Sequence, residues 1–320
     1  MNRLLAALVA AFACFAVFAQ SDYPNKPIKL LVPFPPAGGT DTLSRAIAQS
    51  ISNNTKWVIV VENKPGAGGN IGLDAAAKSP PDGYTIAMGQ TSNLAVNPTL
   101  YSNLPFDPLK DFAPIALISS QPLIVVVSAA SPYKTLRDLV EAARQNPGKI
   151  NMASAGNGTI GHIGGEIFQR RAGIKMTHVP YKGAGPAVTD LIGGSVETFF
   201  GNSQSVGGLV SGGRLRPLAV TAPKRLANFP DVPTVAELGY PGFEAATWSG
   251  LVAPAGTPKP IVDRLNAEAN RALGNSEMKA KLAEDGSTPL GGTPEQFAAF
   301  IKSEHAKWGA AVRDANIKLD

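Results

Sequence analysis

The sequence predicts a two-domain α/β protein, and three observations carry that expectation. Short apolar runs that end in glycine-rich loops recur along the chain, each followed by residues spaced as a helix. The roughly 300 residues that follow the first nineteen exceed the usual size of one domain. Glycine at 33 and proline at 27 fit many short, loop-ended elements, and hydrophobic residues at 44% supply enough apolar material to exclude a disordered chain.

Met1 to Ala19 carries one positive charge (Arg3), an apolar core from Leu4 to Phe18, and Val17-x-Ala19 before Gln20, a pattern similar to a signal-peptidase site. Residues 1–19 are therefore expected to be a cleaved export signal, and the apolar run is shorter than the ~20 residues of a membrane span. The only cysteine, Cys14, lies in this leader, so the mature chain is expected to hold no disulfide and no thiol nucleophile. Phe15 to Phe18 prolongs the apolar core beyond Cys14, which argues against a lipid anchor. Lys and Arg number 29 against 24 Asp and Glu, a net charge of +5 that becomes +4 without Arg3. These charges are scattered, so a nucleic-acid partner is not expected, whereas a small anionic ligand is compatible.

Ile28 to Val32 is an apolar run that ends in prolines, and Thr42 to Ile51 has apolar residues at Leu43, Ile47 and Ile51, the spacing of a helix. Between them Gly38 and Gly39 leave the backbone open, Thr40 is expected to cap the helix, and Asp41 falls in its first turn. Such a loop is either an ordinary strand-to-helix connection or a place where backbone N–H groups meet an anion. A second loop, Asn63 to Gly72, follows the run Val58 to Val61 and precedes a helical stretch from Ile71 to Lys78. Two glycine loops thus end two neighbouring strands, and ligands of open α/β sheets bind where such loops converge.

Tyr84 to Gly89 reads as a third strand, ending in Thr91 and Ser92, whose hydroxyls either bond a ligand or cap the helix that follows. Ala113 to Ile118 and Leu123 to Val127 are further strands, and Thr135 to Ala143 an amphipathic helix. Ile150 to Ala153 opens a second series of strand, glycine loop and helix. Gly156, Gly158 and Gly161 satisfy G-x-G-x-x-G, yet Lys175 to Val179 ends in Pro180-Tyr-Lys182 with no acidic residue to hold a ribose, so a dinucleotide site is rejected. Tyr181 to Gly194 is again loop then helix, and Val196 to Phe200 is a strand ending in Gly201-Asn-Ser203. Lys182, a cation beside glycines and an aromatic at a strand end, reads either as a solvated loop lysine or as a ligand contact. Leu215 to Thr221 is a further strand, Pro230 to Glu237 a turn and short helix, and Ala245 to Val252 an extended stretch carrying Trp248. Helices are expected over Pro260 to Leu273, Ser276 to Glu284 and Pro294 to Arg313.

No G-x-S-x-G elbow, Walker loop, H-E-x-x-H or cysteine ligand set is present, so neither cofactor nor metal is expected. Of the three histidines, His178 reads as a core residue and His305 lies on a polar helix face. Only His162, one turn into a glycine-loop helix, is placed to meet a ligand.

Several motifs together, in order and along the whole mature chain, resemble one family. They are Pro33 to Asp41, Val61 to Gly69, Pro81-Asp-Gly-Tyr84, Asn97-Pro-x-Leu-Tyr101, Pro180-Tyr-Lys-Gly183 and Gly250 to Pro258, and the likeness is to the Bug (TctC-like) solute-binding proteins of tripartite tricarboxylate transporters. The resemblance implies a periplasmic, monomeric protein of the type II Venus-flytrap fold. Lobe 1 would comprise residues 20–127 and 247–320 and lobe 2 residues 128–246, with chain crossings near Ser128 and Trp248. It implies a small carboxylate held by Phe34, Ala37, Gly38, Gly39, Thr40, Asp41, Ala67, Gly68 and Gly69, with Thr91 and Ser92 nearby. Ser154, Thr159, His162, Tyr181, Lys182, Gly183 and Asn202 would hold the rest of the ligand from the second lobe. The Pro35-Pro36 pair departs from the family, whose members often have one proline fewer there. Family ligands include tricarboxylates, dicarboxylates, acidic amino acids and aromatic carboxylates, and the implied partners are the membrane components of such a transporter. An exported enzyme using Ser154, His162 and Lys182, or a sensor for a membrane kinase, are the alternatives.

Overall fold

A computed structural model describes residues 23–284, 286–314 and 316–317. The export signal expected over residues 1–19 lies outside the described residues. The first series runs β1 (Ile28–Val32), α1 (Gly39–Thr55), β2 (Ile59–Asn63), α2 (Asn70–Ala77) and β3 (Thr85–Gln90). A 3-10 turn, Ala67–Gly69, precedes α2, and a π-helical turn, Ser92–Val96, leads into the short helix α3 (Asn97–Leu100). The second series runs α4 (Leu136–Gln145), β5 (Asn151–Ser154), α5 (Ile160–Ala172), β6 (Thr177–Pro180), α6 (Ala184–Gly193), β7 (Thr198–Asn202), α7 (Ser203–Ser211) and β8 (Leu215–Val220). Between the two lies β4 (Phe112–Ser128), and the chain closes with β9 (Ala246–Pro254), α8 (Lys259–Gly274), α9 (Ser276–Glu284), β10 (Thr288–Pro289) and α10 (Pro294–Asp314).

The strand order is β2-β1-β3-β9-β4-β7-β5-β6, with β8 and β10 also paired to β4. β1 pairs in parallel with β2 and β3, and β5 pairs in parallel with β6 and β7. Each half is therefore a small parallel sheet with its first strand in the middle, and the loops leaving the carboxyl ends of both halves open toward one cleft. The two halves meet on β4, which pairs with β9 over Phe112 to Pro122 and with β7 over Leu123 to Val126.

β4 is one strand of 17 residues where two were expected. Ser119 to Gln121 interrupt the apolar run, yet Ser119 and Gln121 are fully buried within the ladder, so polarity here does not mark a turn. The prolines sit where a missing N–H costs least: Pro114 borders a register shift against β9, and Pro122 is the last residue paired to it. α1 begins one residue before Thr40, with Gly38 at the cap position and no side-chain cap, so the expected cap at Thr40 is corrected. The Thr40 hydroxyl is engaged instead by the Gln90 amide. Pro230 to Glu237 forms turns and no helix: Thr234 and Glu237 bond reciprocally as a helix start would, but Gly239 at φ 102 turns the chain away. α7 was not anticipated, because five of its nine residues are serine or glycine beside Val206, Leu209 and Val210, and they blur the helical period.

Candidate functional site

The Pro33 to Gly38 loop owes its shape to Asp41. Its carboxylate, 4% exposed, accepts the Ala37 N–H at 2.9 Å, Arg45 Nε at 3.0 Å and Asn63 Nδ2 at 2.9 Å. Asn63 Nδ2 also donates to the Phe34 carbonyl at 3.0 Å, so the end of β2 braces the loop after β1. Burial raises the Asp41 pKa, but the hydrogen bonds from Arg45, Ala37 and Asn63 and the Arg45 charge outweigh it and hold the group below the ordinary carboxylate range. Asp41 is therefore a loop brace with its charge already paired. Ala37 at φ 62 and Ala67 at φ 48 are held left-handed, one in each glycine loop, a strain that persists only where surroundings enforce it.

Two adjoining recesses occupy the cleft. The inner one, about 160 Å³, is bounded by the N-terminal residues of α1, α5 and α6 and by the end of β7, with Phe34, Phe199 and Phe200 as apolar walls. The outer one, about 550 Å³, is bounded by Pro65 to Gly69, Tyr101, Ala155 to Asn157 and Pro180 to Gly183. Lys182 lines both and is the one charged side chain among their lining residues. Helix N-termini present unpaired N–H groups and about half a positive charge each, so the inner recess favours an anion before any side chain is counted. Ser92 adds a buried hydroxyl with no hydrogen-bond partner at its wall.

Of the expected site residues, Phe34, Ala37, Gly38, Gly39, Thr40, Ser92, Thr159, Lys182, Gly183 and Asn202 line the inner recess. Ala67, Gly68, Gly69 and Tyr181 line the outer one. The Tyr181 hydroxyl donates to Asp190 at 2.7 Å, and that bond, with burial and the Asp190 charge, pushes its pKa up to about 12. Asp41, Thr91, Ser154 and His162 line neither recess. Thr91 is instead bonded to the backbone of Trp248, accepting its N–H at 2.8 Å. Ser154 and His162 lie behind the wall, and His178, expected as a core residue, is paired there with both of them.

Gln90, Tyr101, Asn157 and Thr247 line the cleft but were not anticipated. Gln90 ends β3 next to Thr91, so the strand-end rule that found Thr91 and Ser92 could have reached it. Thr247 had no local signal; β9 carries it to Asn202, to which it donates at 3.2 Å.

The two halves touch across the cleft. A Cβ on Gly39 would lie 2.7 Å from Gln204 Oε1, one on Gly68 2.9 Å from the Asn157 carbonyl, and one on Gly183 3.2 Å from Pro35 Cγ. Gly158 meets Asn97 in the same way. The molecule is thus closed over its recesses, and glycine at these places permits the approach.

Two α/β lobes joined through long strands and closed over an anion-favouring cleft define the periplasmic binding-protein class. The chain belongs to the TctC family, described as tripartite tricarboxylate transporter family receptor, whose profile matches residues 43–317. Protein BugT of Bordetella pertussis is 38% identical over 323 residues, covering 100% of this chain and 99% of BugT. The R. palustris protein Rpa4515, solved with adipate, is 36% identical with a TM-score of 0.90, covering 93% of this chain and 99% of that one. The periplasmic binding protein BugD is 33% identical with a TM-score of 0.88, covering 92% and 99%. Among the described residues no helix is long and apolar enough to cross a membrane.

Proposed function

We propose that this protein is an exported, monomeric solute receptor that captures a small carboxylate in its cleft and delivers it to the membrane components of a tripartite transporter. The observation that carries the reading is the inner recess, where helix N-termini, Lys182 and the unpaired Ser92 hydroxyl converge on a space sized for a compact anion. Adipate in Rpa4515 supports a carboxylate as the ligand class. In this reading β4 crosses between the lobes where its pairing passes from β9 to β7, at Pro122 and Leu123, a few residues before the crossing expected near Ser128. β9, paired from Ala246, makes the return, so that β4 and β9 serve as the hinge.

Binding without turnover is the expected activity. Ser154 Oγ lies 2.7 Å from His178 Nε2, the approach of a nucleophile and its base, but Ser154 is fully buried and lines neither recess. A thermal-shift screen over mono-, di- and tricarboxylates tests the function: a ligand at 100 times its dissociation constant should stabilise by about 2.7 kcal/mol. The ligand should return chemically unchanged. Turnover that disappears in Ser154→Ala would establish the enzyme reading, and no stabilisation by any carboxylate would sink the receptor reading.

A further inference from the structure

Behind the wall formed by residues 154–159 two histidine rings are stacked, with centroids 3.9 Å apart and planes 11° from parallel. His162 comes from the first turn of α5 and His178 from β6. His162 Nδ1 accepts the Gly158 N–H at 3.2 Å, and His178 Nε2 meets Ser154 Oγ at 2.7 Å. Ser154 Oγ accepts the Gly156 N–H at 3.1 Å, and the Thr159 hydroxyl donates to the Gly156 carbonyl at 2.7 Å.

This loop has little shape of its own. Gly156 at φ 136 and Gly158 at φ 78 sit in conformations natural to glycine, the residue that loses most freedom when it is fixed. Its form is imposed by the side-chain bonds to Ser154, Thr159 and His162 together with the backbone bonds that the Gly156 and Ala155 carbonyls accept from Thr159 and Gly183. Ala155, Gly156, Asn157 and Thr159 from this loop face the recesses, while Gly158 packs against Asn97 and Leu100 of the opposite half.

We propose that His162 is a positioning residue: by accepting the Gly158 N–H through Nδ1 and stacking on His178, it holds the 154–159 loop in the form that closes on the ligand, without touching the ligand itself. The role requires a neutral ring protonated at Nε2, because a proton on Nδ1 would set two N–H groups against each other. The effect on affinity rests on the receptor reading above; the loop geometry does not.

Two variants separate this role from mere packing. His162→Asn keeps an acceptor near the Nδ1 position, whereas His162→Leu keeps bulk and removes the acceptor. Amide exchange at Gly158, followed by NMR in the ligand-free protein, should be about tenfold faster in His162→Leu and close to wild type in His162→Asn. Affinity for a carboxylate found in the screen should fall about tenfold in the first variant and be largely kept in the second. Unchanged exchange in His162→Leu, or equal losses in both variants, would overturn the proposal. In the wild type, long-range nitrogen–proton correlation should show His162 as the Nε2–H tautomer at neutral pH; an Nδ1–H tautomer would overturn it without any variant. If no carboxylate binds, the receptor reading fails while exchange and tautomer still decide the role of His162.

Discussion

Lys182 stands alone among the cleft-lining residues as a full charge, and the first-half loops answer an anion with backbone groups. Losing one charge-assisted hydrogen bond costs ~1.5 to 3 kcal/mol, or roughly 10- to 150-fold in affinity. Lys182→Ala should weaken a di- or tricarboxylate by about that factor and a monocarboxylate much less, as titration calorimetry with paired ligands would read. Equal losses would mean that Lys182 holds the common carboxylate or supports the loop. Gly39 poses a steric test. Its missing side chain leaves room for Gln204, whose Cβ would be 3.1 Å from a Cβ at position 39. Gly39→Val should therefore block closure as well as crowd the anion, and binding should be lost while the melting temperature in the absence of ligand stays near wild type.

At the scale of elements, α4 and α5 show two different ways in which local chemistry stabilises a helix. α4 has a full capping box, Thr135 accepting from Asp138 N–H at 3.2 Å and the Asp138 carboxylate accepting the Thr135 N–H at 2.9 Å. Thr135→Ala should cost about 1 kcal/mol, measurable by denaturant unfolding, with no change in ligand affinity. α5 depends on close approach: a Cβ on Gly161 would lie 2.5 Å from the Phe200 carbonyl, a backbone atom that cannot swing aside. Gly161→Ala should therefore destabilise more than Thr135→Ala and also displace a helix end that borders the inner recess. The same glycine completed the apparent dinucleotide motif. Its spacing reflects two loop conformations at Gly156 and Gly158 and one packing contact at Gly161.

For the whole molecule, pH is the most direct probe of the stacked pair formed by buried His162 and half-buried His178. Burial, joined for His162 by the neighbouring His178, lowers the ring pKa values from 6.5 to about 3 for His162 and about 4 for His178. The folded state thus stays neutral while the unfolded chain takes up protons below pH 6.5, so stability is full above that value and falls as pH drops toward 4. Asp41 acts in the same direction at lower pH, since its lowered pKa contributes stability above the ordinary carboxylate range that is lost as the group is protonated. Urea unfolding between pH 8 and 4 should show a plateau and then a decline approaching two protons per chain. A double variant, His162→Asn with His178→Gln, should decline less steeply; an unchanged slope would place the titrating groups elsewhere.

The amino-acid sequence by itself determined the α/β class, the strand–glycine loop–helix repeats and, through several ordered motifs, the family. These features are local: an apolar run, a glycine where φ must turn positive, a helical period. Strand ends with glycine or polar residues mark the open side of a parallel sheet, which pointed to Gly38, Gly39 and Lys182, while Phe34 and Asn202 came from the family resemblance. Only the tertiary structure decided which polar groups face inward. Asp41 turns away because Arg45 and Asn63 claim its carboxylate, Thr91 is taken by the Trp248 backbone, and His162 is drawn behind the loop by His178. Thr247 reaches the cleft across a gap in sequence that no periodicity spans, carried by the strand β9. The reason is physical: a buried polar group goes where its partners are, and those partners come from segments that meet only when the sheet is assembled.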